Sequence, residues 1–327
     1  MKRFIIIGGG ILGASTAYHL AKQGAEVILI DRKDKGQATD ASAGIICPWL
    51  TQRRNKAWYQ LAKAGARYYP YLINELEKAG EDNTGYKRVG ALSIHKDLEK
   101  IKKAGERVSL RRGDAPEIED VTELSPEEAN RLFPVLDIDY HALHISGAAR
   151  VDGRLLRDSL LSAAKKLGAS IINGDAVLQF SGSRVTGVKT GDKEFQAYQV
   201  IVCAGAWANS LLKPLGVDLQ VTFQKAQIVH LEIQDGNTNE WPVIMPPTNQ
   251  YLLAFDKQRI VAGATHEDLE NLDDRITAGG VAEVLNKALN VAPGLNNSTF
   301  IEARVGYRPF TPGFLPVIGP YLDGRGF

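Results

Sequence analysis

Cysteine is scarce in this 327-residue chain, which has two. A disulfide framework is not expected, and a reducing compartment is the natural setting. An excess of charge of one sign is missing too: 39 Lys and Arg stand against 38 Asp and Glu, for a net charge of +1. Nothing in that balance points to nucleic acid. Long apolar runs are also lacking, since none approaches the roughly 18 residues of a membrane span. Lys2-Arg3 before Phe4 to Ile7 imitates the start of a signal peptide, but the run breaks at Gly8 before reaching the length of an apolar signal core. The chain is therefore expected to be cytoplasmic. His95, His141, His144, His230 and His266 show no ligand spacing with cysteines or carboxylates, so no metal site is expected and each reads as a surface or satisfied core residue. The 44% hydrophobic content is that of a globular protein able to bury a sizeable core, and the length allows two domains or one composite domain.

What is present begins at the N-terminus. Phe4-Ile5-Ile6-Ile7 reads as a strand, opens onto Gly8-Gly9-Gly10-Ile11-Leu12-Gly13, and is followed by a helical pattern through Leu20. Gly8, Gly10 and Gly13 fit the dinucleotide-binding spacing: one for the tight turn, one for close approach of a pyrophosphate, one for helix packing on the strand. The helix start offers free N–H groups to phosphate. A second strand, Val27 to Ile30, ends at Asp31, about twenty residues on, where an acid is expected to hold ribose hydroxyls.

A nicotinamide-binding domain would continue its strand and helix alternation. Here Asp31 leads instead into a polar stretch and a small-residue run, Ala38 to Gly44, in which Thr39 and Ser42 offer hydroxyls. From Ala57 to Lys78 apolar and aromatic residues recur at helical spacing, including Trp58, Leu61 and Leu76, and read as core with an irregularity at Pro70. Lys87 to His95 is expected as one strand, Ser125 to Glu128 as a capping box, and Asp152 as the N-cap of a helix closed by Gly168. Val200 to Cys203 is continuously apolar, as a parallel strand buried on both faces should be, and opens onto Ala204-Gly205-Ala206-Trp207. Beyond Pro214 the pattern turns antiparallel: Val221 to Ile233, Tyr251 to Phe255, Arg259 to Gly263, and Phe300 to Gly306, with a helix at Thr277 to Val291.

These features, in this order and together with Gly306-Tyr307-Arg308-Pro309-Phe310-Thr311-Pro312-Gly313-Phe314-Leu315-Pro316-Val317-Ile318-Gly319, resemble the FAD-dependent family of glycine oxidase, D-amino-acid oxidase and D-amino-acid dehydrogenase. The glycine turn is shared with many flavoproteins, whereas the Arg-Pro segment is much more specific. The resemblance implies an α/β architecture: a discontinuous Rossmann-like FAD-binding domain (1–85, 147–215 and 301–327) with an inserted α+β substrate domain on an antiparallel sheet (86–146 and 216–300). It also implies that Gly8, Gly10 and Gly13 hold the FAD pyrophosphate and Asp31 the ribose, although the family more often has glutamate there. Ser42, Ala43 and Gly44 would line the path to the flavin, Val177 would meet adenine through its backbone, and Ala204 and Gly205 would pack on the cofactor. Arg308 corresponds to the arginine that grips the substrate carboxylate, and Tyr251 to a tyrosine that hydrogen-bonds the same group.

The implied reaction moves a hydride from the Cα of a small amino acid or secondary amine to the flavin and needs no metal or acid/base side chain. Relatives of the sarcosine oxidase type attach flavin through a cysteine just before the arginine segment; here that place is Val305-Gly306, so non-covalent FAD is expected. The family continues past Gly319 with a strand, a glycine-rich loop and a helix facing the flavin, whereas this sequence ends at Gly324-Arg325-Gly326-Phe327. Two alternatives stay open: a 2-hydroxy-acid dehydrogenase, whose substrate Arg308 would hold equally well, and a non-catalytic or partner-dependent flavoprotein. A homo-oligomer or a partner subunit is compatible with either.

Overall fold

A computed structural model describes residues 1–53, 55–182 and 184–320. The expected early stop at Gly324 to Phe327 lies outside the described residues.

The first three elements form as their residues dictate. The strand Arg3–Ile7 carries the β-branched run Ile5-Ile6-Ile7, all but sealed from solvent, and pairs in parallel with Glu26–Asp31 on one side and Gln199–Val202 on the other. Ser170–Asn173 adds a fourth parallel strand beside Glu26–Asp31. One face is covered by the helices Ile11–Lys22 and Gly153–Lys166, which meet through Ala14, Ala17, Ala163 and Ala164. These small side chains let two helices and a sheet close together. The other face buries Ile5, Ile7, Ile28 and Ile30 against Leu178 and Val188 of a three-stranded antiparallel layer, Val177–Ser181, Arg184–Thr190 and Lys193–Gln196.

A nine-stranded sheet forms the second layer system. Thr222–Glu232 is its spine, flanked by Arg259–Gly263 and by the long strand Thr299–Phe310. It is not wholly antiparallel as expected: Val243–Met245 runs parallel to Ala91–His95. That one parallel pair welds two stretches far apart in sequence into a single sheet. The helix Ala278–Val291 packs Val284, Ala288 and Val291 against Val229, Leu231 and Ile260 on one face. Ser125 and Glu128 form the capping box, and Asp152 caps Gly153–Lys166 by accepting from the N–H groups of Arg154 and Leu155.

The helix expected from Ala57 to Lys78 is Lys56–Lys78, with Pro70 inside it. Three expectations are corrected. The aromatic stripe of that helix is only partly core: Leu72, Ile73 and Leu76 are buried while Leu61 is exposed, because the C-terminal half packs on the core of the parallel sheet and its helices. The stretch Lys87 to His95 is two strands, Lys87–Arg88 and Ala91–His95, parted at Gly90, whose φ of +75° suits glycine and where a Cβ would stand 2.5 Å from His144 Nε2. Phe300 to Gly306 is part of a longer strand, Thr299–Phe310, that runs straight through Arg308 and Pro309. Pro309 is tolerated near the strand end, where the ladder gives way to the loop after Phe310.

Candidate functional site

Where the parallel strands end, the chain opens a cavity of about 480 Å³ lined by Gly8 to Leu12, Asp31, Val177, Ala204 and Gly205 among others. Gly8 sits at φ +106°, and a Cβ there would be 2.4 Å from the Cys203 carbonyl oxygen. A Cβ on Gly13 would be 1.8 Å from the Gly8 carbonyl oxygen, so this glycine stands behind the turn and lets the helix close on it. Gly10 is the N-cap and supplies no side-chain cap, which leaves the first turn of the helix to bind something else. At present the Ile11 N–H donates to Thr39 Oγ1 at 2.9 Å. Both Asp31 carboxylate oxygens accept from Gln37 Nε2 at 3.1 Å.

This donor and acceptor set fits a dinucleotide: an uncapped helix start and backbone cradle for the pyrophosphate, a carboxylate at the adjoining strand end for the ribose, and the exposed apolar Val177 for the adenine end. Gln37 is the residue that sequence reasoning missed. Its only signal was a polar side chain in the turn after Asp31, and nothing local says that it folds back on the acid.

Ser42, Ala43 and Gly44 are not among the residues that wall this cavity. Ser42 Oγ donates to the Thr39 carbonyl at 3.0 Å, and the Gly44 carbonyl accepts the Val151 N–H at 2.9 Å. They bind the loop after Asp31 to the start of the helix Gly153–Lys166. Just before them, Ala41 packs beneath Gly306, where a Cβ would lie 3.0 Å from the Ala41 methyl.

Tyr251 and Arg308 come together on the second sheet, although 57 positions separate them. Tyr251 pairs with Gly263, and a Cβ on that glycine would be 2.3 Å from the Tyr251 hydroxyl, so glycine makes room for the phenol. Burial pushes the Tyr251 phenol up, with the Arg308 charge opposing it. The Arg308 side chain is exposed and has no carboxylate partner among the described residues; its guanidinium lies 6.0 Å from the Phe310 ring centre. Its neighbours Tyr307 and Pro309 line the dinucleotide cavity, and the Tyr307 N–H donates to the Gly36 carbonyl at 2.8 Å. One strand thus touches both regions. His266 is held below its ordinary range by burial and then by Arg308. Both thiols are inert: burial pushes Cys47 up to about 12 and Cys203 up to about 11. No group of metal-ligating side chains and no membrane-crossing helix occurs among the described residues.

Comparison with known proteins matches residues 3–327 to the family described as FAD dependent oxidoreductase. An uncharacterized oxidoreductase, YurR, of Bacillus subtilis (strain 168) is 64% identical over 327 residues, covering 100% of this chain and 88% of that protein. Glycine oxidase of Pseudomonas putida is 27% identical over 99% of this chain and 87% of its own length. Among solved structures, iminodiacetate oxidase from Chelativorans sp. BNC1 superposes with a TM-score of 0.91 at 47% identity, over 94% of this chain and 84% of that one. Glycine oxidase from Geobacillus kaustophilus gives 0.84 at 25% identity, over 100% and 88%. The glycine turn, the acid at the second strand end and the match along the sequence agree, and the chain belongs to this family of FAD-dependent oxidoreductases, as an enzyme whose cofactor is FAD.

Proposed function

We propose that the protein oxidises the C–N bond of a small amino acid or secondary amine of the glycine or iminodiacetate type. Arg308 carries this reading: an exposed guanidinium, without a carboxylate partner among the described residues, beside the Tyr251 phenol, on the strand whose neighbouring residues line the cofactor cavity. The names of the similar proteins point the same way.

In this reading Gly8, Gly10 and the start of Ile11–Lys22 hold the pyrophosphate, Asp31 exchanges Gln37 for the ribose, Val177 meets adenine, and Ala204 and Gly205 pack on the cofactor. Bound FAD would accept the hydride leaving Cα, and water would hydrolyse the resulting imino acid to an oxo acid and an amine. Arg308 fixes the substrate carboxylate with two parallel charge-assisted hydrogen bonds, which sets both position and rotation. The Tyr251 hydroxyl, kept protonated by burial, donates to the same carboxylate. Segments 1–85, 147–215 and 301–327 serve the cofactor in this assignment, and 86–146 and 216–300 serve the substrate.

The test is an anaerobic titration of the FAD-loaded protein with glycine, sarcosine, proline, D-alanine and iminodiacetate, followed by flavin bleaching. Bleaching by an amine and not by the matching 2-hydroxy acid is expected. Bleaching by hydroxy acids alone, or by nothing, would sink the reading.

A further inference from the structure

The edge of the Asp31 carboxylate that a ribose would use is taken by a neighbouring side chain. Gln37 Nε2 stands 3.1 Å from each of the two oxygens. A donor equidistant from both lies on the outer edge of the carboxylate, where their accepting directions converge. The opposite flank is closed by the glycine turn: a Cβ on Gly9 would be 2.7 Å from Asp31 Oδ2 and 3.0 Å from its Cγ. Asp31 and Gln37 both line the cavity at the ends of the parallel strands. Among the described residues no other group donates to this carboxylate.

Three physical points make this more than a loop contact. A ribose presents two neighbouring hydroxyls, and a carboxylate that accepts from both must offer this same edge, so the amide and the diol exclude one another. The Gln37 side chain has no part in its own loop, since it precedes the short turn Ala38–Ala41 without capping it. Its backbone, in contrast, is fixed. The Tyr307 N–H donates to the Gly36 carbonyl at 2.8 Å, Gln37 bridges to Tyr307, and Gly36 lies at φ +83°, where a Cβ would stand 2.3 Å from the Tyr307 ring. The side chain is free to swing while its root stays in place.

We propose that Gln37 sets the cofactor affinity by competing with the adenosine ribose for Asp31. In the FAD-free protein the amide satisfies a carboxylate that would otherwise face the cavity unpaired. On binding, the diol displaces it and the amide turns to water. The ribose thus contributes only the difference between two sets of hydrogen bonds to one carboxylate, and FAD is held less tightly than the glycine turn and the acid alone would hold it. This goes beyond the amine-oxidising reading and does not depend on it, because it concerns the adenosine end of the cofactor.

The experiment titrates the FAD-free protein in a calorimeter with FAD, with ADP, and with 2′,3′-dideoxy-ADP, which lacks the diol. The wild type is expected to prefer ADP to its dideoxy form by less than about tenfold, since the diol must displace the amide. Gln37→Ala binds FAD and ADP about tenfold more tightly, the scale of one hydrogen bond to a charged group, and leaves dideoxy-ADP unchanged. Gln37→Leu, which keeps the bulk and loses the donor, does the same. Unchanged or weaker binding of FAD and ADP by Gln37→Ala overturns the proposal, since Gln37 then orients Asp31 or reads the ribose beside it. An equal gain for dideoxy-ADP overturns it as well, because the diol is then not what Gln37 excludes. So does a gain confined to Gln37→Ala, which marks opened space rather than a lost hydrogen bond. If neither variant folds, a wild-type preference for ADP above about tenfold is enough to reject it.

Discussion

Arg308 is exposed and free of carboxylates among the described residues, so its pairing energy is available to a ligand. Lysine keeps the charge but loses the planar fork. Arg308→Lys is expected to lower kcat/KM for the proposed amine substrate by about tenfold to a hundredfold with the FAD content unchanged, measured by steady-state kinetics and the flavin spectrum. A different residue governs behaviour in acid. His230 is buried on the strand Thr222–Glu232, and neither ring nitrogen has a hydrogen-bond partner among the described residues. Burial, helped by Arg304 and Arg259 and opposed by Glu302 and Asp152, pushes it down to about 4. Unfolding frees it to bind a proton near its ordinary 6.5. Its contribution is therefore complete above pH 6.5 and is lost as pH falls toward 4, on the order of 3 kcal/mol in all. Glu302 and Asp152, both held below the usual carboxylate range, add their own losses at still lower pH. In denaturant melts across that window, His230→Leu should flatten the slope between pH 6.5 and 4; an unchanged slope would assign it to other groups.

At the level of elements, the helix Gly153–Lys166 depends on its first residue pair more than its length suggests. Asp152 accepts from two backbone N–H groups of the first turn at 3.0 and 3.3 Å and also receives Arg259 at 2.8 Å from the second sheet. One carboxylate thus ends a helix and ties it to a strand of the other layer. Asp152→Ala removes the cap and leaves Arg259 without that partner. A loss of about 2 kcal/mol is expected, seen as a drop of several degrees in Tm, whereas Asp152→Asn, which keeps the cap, should recover roughly half. The glycine turn obeys the same logic. Gly8 and Gly13 are required by a positive φ and by close backbone approach respectively, and both needs were readable from spacing alone.

The whole molecule is held as one unit by strands that cross between its layers. Gln199–Val202 returns from far along the chain to lie beside Arg3–Ile7, and Thr299–Phe310 reaches from the second sheet to the cofactor loop through Tyr307 and Gly36. Ligand that binds only this assembled form stabilises it by mass action. FAD is expected to raise Tm in a concentration-dependent way and to be released into the supernatant when the protein is precipitated with acid, because neither cysteine lies in the Arg308 segment, Cys47 is buried and Cys203 half-buried, and desolvation pushes both thiols up. Flavin that stays with the precipitate would show a covalent link.

The sequence by itself determined whatever depends on neighbours a few positions apart. The buried run Ile5 to Ile7, the glycine spacing, Asp31 at a strand end, the capping box at Ser125 and the cap at Asp152 are each set by backbone sterics or side-chain reach within one turn. The Arg308 segment was legible through its rare run of prolines and glycines and the family it resembles. Tertiary structure decided the rest, where the free energy lies in contacts between distant residues. Nothing near Val243 says that it will run parallel to Ala91–His95, and nothing in the polar turn says that Gln37 closes on Asp31. The small-residue run at Ser42 to Gly44 reads as a ligand loop, yet its close contacts are with Thr39 and Val151, because only the folded chain brings that helix start against it. The root of Gln37 is fixed only once Tyr307, from the far end of the chain, settles on Gly36, and a local pattern holds no information about such a meeting.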